Sequence, residues 1–438
     1  MASVNKRVLR SARSCLKKFL MFKKPKSAKY DWIDYFLVIH KAIRDNKLSG
    51  VNGSSETLDE TKSVNGTPPK FVWRHYKRYA SGRKRIKLIQ RYVPRGRTVH
   101  CKIKRMYKDR TRLYRIHEAL TAKLLRKLAG KTVAIAFDTH DQDFYGKLIH
   151  RDVPNTCITR AIGEGTNKVY RYCVARLIVL MEQFIAILPR LVMPHEKVED
   201  YVDYVFRYLR RLRINLNMAF MDRAFDNIEV MKKCDRYHVQ YLIPVSARGE
   251  KLKKIIHSHK THVHQETYTK KRGKYNFKHT LIVAVPDILL HPDRKPQPEP
   301  QQSSSGTKRR GRSKKEQEEK DPQAFFTSIP LPRNYVEEKD PKKKQQLLDE
   351  FGVGLSKMYR ERFGVESTNR DTKNFRAKTF SIDPTIRLFN FVLSTALYNV
   401  WMQARSAIRD KKLRKKFTQQ KFLDLYLSAR ILFPDRWN

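Results

Sequence analysis

Four residues in the C-terminal third of the chain have types and spacing that suit phosphate chemistry. They are Tyr359, Arg362, Glu366 and Lys373, within the segment YRERFGVESTNRDTK. On a helix with about 3.6 residues per turn these side chains share one narrow face, whereas Glu361 points away. A carboxylate beside two cations is either a surface ion pair or part of a site that handles phosphate and metal, and the spacing alone leaves both interpretations open.

Two aspartates follow apolar runs that are typical of β-strands. Asp138 comes after Thr132–Phe137 (TVAIAF) and Asp222 after Asn215–Met221. Because open sheets flanked by helices bind ligands where their strands end, both aspartates are candidates for such a site. Three carboxylates from separate segments can hold two divalent cations for in-line attack on a phosphodiester. Arg and Lys beside them can neutralise or position phosphate groups.

These segments together resemble the motifs of DDE transposases of prokaryotic insertion sequences, in the group with the Tyr-Arg-Glu-Lys signature. The spacing Y-(2)-R-(3)-E-(6)-K is complete from Tyr359 to Lys373. Asp138 begins the segment DTHDQDFYG. Its DT and FYG are similar to the family's first-Asp segment. Asp222 begins DRAF, which is similar to the second. The three motifs follow in the family's order, and the resemblance covers roughly residues 131–405.

The resemblance implies an α/β catalytic domain of ribonuclease-H-like fold, with a mixed sheet, flanking helices and a β-rich insertion before the catalytic helix. It implies that Asp138, Asp222 and Glu366 are catalytic and bind two Mg²⁺ ions, with Mn²⁺ as a possible substitute. Tyr359, Arg362 and Lys373 would contact DNA near the cleaved end.

The implied activity is cleavage of double-stranded DNA at terminal inverted repeats, followed by strand transfer into target DNA. A homodimer would cut two element ends in concert, in the cytoplasm and associated with the nucleoid. Whether the second strand is cut through a hairpin stays open, because tryptophans that stack on a flipped base in some relatives have no clear match here. Two alternatives stay open: a transposase-derived DNA-binding protein without catalysis, and a nuclease of similar fold that does not join strands.

Composition divides the chain into four regions. Residues 1–130 form a basic, mainly helical region that is predicted to bind DNA, with a Ser/Gly/Thr-rich linker at 49–69. Residues 131–246 are the first part of the catalytic domain. Residues 247–345 are the insertion, with a disordered segment predicted at 292–321, and residues 346–438 hold the catalytic helix and C-terminal helices. Residues 386–401 read as a buried core helix, since Arg387 and Asn390 interrupt an otherwise apolar run.

The charge balance points to a polyanionic partner. The chain has 438 residues, with 94 Lys+Arg against 43 Asp+Glu, a net charge of +51. Residues 71–130 carry 20 Lys/Arg and only two acids, with aromatic residues between them, as nucleic-acid surfaces do. The alternative for this region is a solvated helical hairpin with aromatic residues in its core. Without a run of 18 apolar residues, no membrane span is expected.

Several weaker candidate sites also have an interpretation without any function. The segment HSHKTHVH, which begins at His257, could bind a transition metal or be an exposed basic hairpin. Asp141 or Asp143 could replace Asp138 as a ligand or be solvated in a loop. Five cysteines without a CxxC pair favour a reducing compartment over a disulfide framework.

Overall fold

The computed structural model describes residues 18–19, 32–45, 71–78, 84–91, 94–144, 159–160, 168–180, 183–245, 250–257, 261–272, 276–290, 323–379, 381–408 and 410–424. The predicted linker at 49–69 and the predicted disordered segment at 292–321 lie outside these residues. The strands are β1 (Phe71–Arg78), β2 (Lys84–Arg91), β3 (Thr132–Asp143), β4 (Thr159–Arg160), β5 (Lys168–Leu180), β6 (Gln183–Val192), β7 (Asn215–Phe220), β8 (Gln240–Pro244), β9 (His264–Arg272), β10 (Asn276–Val285) and β11 (Gln323–Thr327).

The helices are α1 (Trp32–Asp45), α2 (Gly96–Met106), α3 (Thr111–Leu125), α4 (Val198–Arg211), α5 (Ile228–Arg236), α6 (Glu250–Ile256), α7 (Asp287–Leu290), α8 (Arg333–Glu337), α9 (Pro341–Glu361), α10 (Phe363–Asn374), α11 (Pro384–Ser406) and α12 (Lys411–Lys416). Two 3₁₀ turns, Arg126–Leu128 and Arg223–Phe225, follow α3 and β7.

Five strands form the centre of the main sheet in the order β6-β5-β3-β7-β8. Strands β3, β7 and β8 run parallel, and β5 is antiparallel to both β3 and β6. Helix α4 connects β6 to β7, and α5 connects β7 to β8. In chain order the five strands are arranged 3-2-1-4-5 with the second one reversed. This is the arrangement of the ribonuclease-H-like fold, and the predicted fold class is confirmed.

The β-rich insertion lengthens this same sheet. Strand β11 pairs antiparallel with β8, β10 with β11, and β9 with β10. The insertion strands therefore lie on the side of the sheet away from β5. Helices α8 and α9 follow β11 and return the chain across the sheet towards β3.

The alternation of side chains along β3 separates two apolar layers. Val133, Ile135 and Phe137 belong to the core that includes α4 and α5. Ala136 points to the opposite face and belongs to the core that includes buried residues of α9. Asp138 has the same parity as Ala136, so it faces the side of the sheet that carries α9 and α10.

Strand β3 is longer than its apolar run indicates. The predicted strand ends at Phe137 and places Asp138 at its end, but the observed strand continues to Asp143. The extra residues pair antiparallel with β5, as in Asp138 with Val174 and Asp143 with Val169. Polar side chains are tolerated there because the pairing partner supplies the backbone hydrogen bonds. The prediction that Asp138 follows the strand is wrong, although it lies beyond the part of β3 that pairs with β7.

Helix α11 is the buried core helix predicted near residues 386–401. Its Asn399 side chain donates to the Ala186 carbonyl at 2.7 Å and accepts from the Ala186 amide at 2.9 Å, which ties the helix to β6. Among the described helices, none is long and apolar enough to cross a bilayer.

The N-terminal helices share a core with α11. Val99 and Ile103 of α2 and Leu113 of α3 are buried in the same cluster as the apolar face of α11. The described part of residues 1–130 is mainly helical, as predicted, but β1 and β2 add an antiparallel hairpin that the sequence pattern does not predict.

Candidate active site

Asp138 and Asp222 occupy equivalent positions on two adjacent parallel strands. Ala136 of β3 and Phe220 of β7 form the last pair of their ladder. Each aspartate lies two residues beyond its member of that pair, and side chains two residues apart on an extended chain face the same side. The two carboxylates therefore meet where the parallel pairing ends, which is where sheets of this kind bind ligands.

Arg362 connects the two carboxylates. Its Nη2 atom lies 3.3 Å from Oδ1 of Asp138 and 3.7 Å from Oδ2 of Asp222. The Arg362 and Asp138 side chains are 7% and 8% exposed, whereas Asp222 is 38% exposed. The site is thus dry at Asp138 and opens to solvent at Asp222. One guanidinium supplies positive charge to two acids that would otherwise repel each other.

Both carboxylate oxygens of Asp138 accept a hydrogen bond despite the burial of the side chain. Oδ1 accepts from Arg362, and Oδ2 accepts from the Asn369 side-chain amide. Burial raises the pKa of Asp138 above its ordinary value, and the nearby guanidinium groups of Arg176 and Arg362 oppose that rise.

Asp222 is oriented by its own backbone neighbourhood. Its Oδ1 accepts from the Arg223 amide at 2.6 Å and caps the following 3₁₀ turn, which leaves Oδ2 facing Arg362. The hydroxyl of Tyr359 donates to the Met221 carbonyl at 3.3 Å and accepts from Nη1 of Arg362 at 2.9 Å. Tyr359 therefore links the chain before Asp222 to the guanidinium. Its predicted contact with DNA stays a prediction.

Arg176 on β5 fixes α10 against the sheet. Its side chain is 1% exposed, and its Nε donates to Thr368 Oγ1 at 2.6 Å. Nη2 donates to the Asn369 side-chain oxygen and to Thr372 Oγ1. Since Asn369 donates in turn to Asp138, a continuous hydrogen-bonded chain runs from β5 through α10 to the first carboxylate.

Arg176 and Asn369 were not among the residues singled out from the sequence. Asn369 lies on the same helical stripe as Arg362, Glu366 and Lys373, so the spacing carries a signal for it. For Arg176 the signal is a charge inside an apolar strand, in the run VARLIVL.

Glu366 and Lys373 both lie on α10. Residue 366 is four positions after Arg362 and three before Asn369, the two residues whose side chains contact Asp138. Helical periodicity places residue 366 on the face of α10 that covers the aspartates. The Glu366 side chain is outside the part of the structure that is described. Lys373 is exposed in the last turn of α10.

Gly364 lets α10 approach the sheet closely. A Cβ atom at this position would lie 2.8 Å from Cε2 of the buried Phe184 on β6, and closer still to its Cζ. A side chain there would push away the helix that carries Glu366.

His140 lies two residues beyond Asp138 and faces the same side of β3. Arg376 Nη1 lies 3.0 Å from its Nε2. Because a guanidinium can only donate, Nε2 accepts and the ring is neutral with its proton on Nδ1. Burial, together with the neighbouring positive charges of Arg376 and Lys373, lowers the pKa of His140 to about 3.

The donor set at this site suits a hard divalent cation. Mg²⁺ and Mn²⁺ prefer carboxylate oxygens, and two such groups from different strands converge on one positive charge. Among the described side chains, no group of three acidic, His or Cys residues is arranged to hold a metal ion. The prediction that Glu366 on α10 is a third ligand beside Asp138 and Asp222 stays a prediction.

Other sequence candidates have structural partners. Asp141 forms a bidentate ion pair with Arg171 on β5, with both distances 2.8 Å, and is not directed at the site. In the histidine-rich segment, His262 lies 3.0 Å from Asp349, and His259 is outside the described residues. Among the described side chains, the metal interpretation of that segment has no support.

The chain matches no known protein-family model and no curated protein sequence. Its fold is similar to that of a piggyBac transposase in a cryo-EM structure of a synaptic complex with hairpin DNA. The two chains are 11% identical with a TM-score of 0.49, over 97% of this chain and 82% of the other.

Proposed function

We propose that this protein is a DDE transposase, which cleaves DNA at the ends of a mobile element and joins the freed ends to a target. The observation that carries the proposal is the convergence of Asp138 and Asp222 on Arg362, beneath the helix that holds Glu366. On a ribonuclease-H-like sheet these positions combine two acids from adjacent strands with a third acid from a helix.

Asp138, Asp222 and Glu366 are the residues that would hold the metal, two Mg²⁺ ions or Mn²⁺ in their place. The chemistry that bound Mg²⁺ supplies in such a site is activation of the attacking oxygen and stabilisation of the leaving oxygen. The chain's own contribution is orientation: Asn369 fixes Asp138, and the Arg223 amide fixes Asp222.

The cations around the acids suit a phosphate backbone. Arg362 carries a planar fork that can bind phosphate oxygens in pairs, and Lys373 is an exposed point charge on the same helix. The net charge of +51 favours double-stranded DNA over a small substrate. The proposed substrates are terminal inverted repeats of a prokaryotic insertion sequence and target DNA, with a homodimer holding the two ends.

The test is strand cleavage of labelled duplex DNA that carries the repeats flanking the gene, with Mg²⁺ or Mn²⁺. We expect a nick with a 3′-hydroxyl end, and Glu366→Gln should slow it at least about a hundredfold because a metal ligand is lost. Glu350→Gln, which changes an exposed carboxylate on α9, is the matched control and should cleave like the wild type.

Three outcomes separate the alternatives. Full cleavage by Glu366→Gln would contradict the assignment of the third acid. Binding of the repeats without a nick, in the wild type as well, would favour the DNA-binding protein without catalysis. Nicking without any strand-transfer product would favour a nuclease that does not join strands.

A further inference from the structure

Arg362 occupies the space that a metal ion shared by Asp138 and Asp222 would need. One guanidinium nitrogen lies within 3.7 Å of both carboxylates. A divalent ion such as Mg²⁺ binds carboxylate oxygens at about 2.0–2.1 Å, so an ion held by both acids and the Nη2 atom of Arg362 exclude each other. Two positive charges at this spacing also repel strongly in a site as buried as Asp138.

The guanidinium has a way out of this position. Arg362 lies at the junction of α9 and α10 with helical backbone angles, φ −60° and ψ −26°. Leaving the acids requires a change of side-chain rotamer and the loss of its hydrogen bond to the Tyr359 hydroxyl. The site opens to solvent on the Asp222 side. A DNA phosphate arriving there would offer Arg362 a paired, charge-assisted acceptor in exchange for the two aspartates.

We propose that Arg362 is a gate that couples metal binding to DNA binding. Without DNA it neutralises Asp138 and Asp222 and competes with metal; with DNA it moves to a phosphate and frees both acids. The coupling is reciprocal, because a ligand that removes Arg362 from the acids favours the other ligand by the same factor. This inference rests on the proposed function, and it adds a control that keeps the metal site closed until substrate is present.

The first experiment measures Mn²⁺ affinity of the full chain without DNA by electron paramagnetic resonance. Arg362→Gln should bind Mn²⁺ at least about tenfold more tightly than the wild type, since the competing charge is gone. Arg362→Lys, which keeps the charge but not the fork, should lie between them. Arg360→Gln removes an exposed charge two residues away and should match the wild type. Asp222→Asn should abolish binding, which places the ion at this site.

The second experiment measures DNA affinity by fluorescence anisotropy at constant ionic strength, with and without Mn²⁺. In the wild type Mn²⁺ should strengthen binding of a short duplex, and in Arg362→Gln this gain should disappear. Urea unfolding of each variant shows whether it is folded, and Arg362→Lys serves if Arg362→Gln is not.

The results distinguish this proposal from the proposed function. Equal or weaker Mn²⁺ binding by Arg362→Gln than by the wild type would overturn the gate and leave the metal-dependent function standing. Absence of Mn²⁺ binding at millimolar concentration in every variant and in the presence of DNA would overturn both.

Discussion

Arg176 does not contact the proposed reaction site directly. It positions the helix whose Asn369 contacts Asp138. It is buried on β5 and donates to three side chains of α10, one of which, Asn369, holds Asp138. A buried cation is costly unless its donors are used. Here Nε and Nη2 of the guanidinium meet acceptors on successive turns of one helix, while Nη1 has no hydrogen-bond partner among the described residues. The placement of α10 against the sheet beside Asp138 therefore depends on Arg176.

Replacing Arg176 with Lys should lower the free energy of unfolding by about 3 kcal/mol, because the charge stays buried while the forked hydrogen bonds to α10 are lost. The measurement is urea denaturation. Arg171→Lys on the same strand is the matched control, since the pair of Arg171 with Asp141 is partly exposed, and its loss should be below about 1 kcal/mol. Equal losses in the two variants would show that Arg176 does not hold α10.

At the scale of the elements, the close approach of α10 to β6 depends on the absence of a side chain at Gly364. Gly364→Ala should cost about 1–3 kcal/mol, because the added methyl group meets the buried ring of Phe184. Gly354→Ala on α9, where nothing lies within 4 Å, should be neutral or stabilise by up to about 1 kcal/mol. Urea unfolding compares the two.

The ring of Phe184 can be removed to check the cause. In a Phe184→Ala background the cost of Gly364→Ala should shrink, since the space is then open. A cost that is unchanged in that background would mean that the strain at Gly364 arises elsewhere.

His117 on helix α3 is buried, and its two ring nitrogens have no hydrogen-bond partner among the described residues. Burial lowers its pKa from 6.5 to about 3. Between these values the unfolded chain binds one more proton than the folded chain, so stability is full above pH 6.5 and falls as the pH drops towards 3. The slope is about 1.4 kcal/mol per pH unit.

His117→Leu should therefore raise the free energy of unfolding near pH 7 by about 1–3 kcal/mol, because an unpaired buried polar group is removed. It should also reduce the slope of stability against pH between 4 and 6 by about one proton. Urea unfolding at a series of pH values tests both. The same slope in variant and wild type would show that His117 is not the group that titrates.

The elements were largely predictable because their apolar spacing is strong. The apolar run at 132–137 lies in β3, the run at 215–221 corresponds to β7, and the run at 386–401 lies in α11. The exceptions have a common cause: β1, β2 and the end of β3 are polar, and their pairing with a neighbouring strand, which the sequence does not reveal, makes them strands.

The site was predictable only in part. Asp138, Asp222 and Arg362 come together as their motifs indicate. The role of Arg176 could not be derived, since its partner Thr368 lies 192 residues away and only the packing of α10 across the sheet brings them together.

At the scale of the whole molecule, the helices of the basic N-terminal region and the main sheet are joined through a shared packing partner, α11. Helix α11 packs on α2 and α3 on one side and on β6 on the other, and Lys104 of α2 pairs with Asp383, the N-cap of α11, at 2.8 Å. If the proposed function is right, a basic surface fixed in this way would hold DNA at a set position relative to Asp138 and Asp222.

The charge of +51 predicts DNA affinity that falls steeply with salt. If six to ten phosphates are neutralised, affinity should drop by about 10³–10⁵ between 50 and 200 mM salt. The reason is that releasing counterions from DNA gains less entropy when the salt concentration is higher. Anisotropy titrations at several chloride concentrations give the slope of affinity against salt.

Lys373→Gln should reduce this slope by about one phosphate contact. Lys197→Gln should not, because Lys197 is an exposed lysine beside α4 on the opposite face of the sheet. A flat response to salt would mean that the charge is not used on DNA, and an equal effect of both lysines would mean that binding does not distinguish the face of the sheet that carries α10.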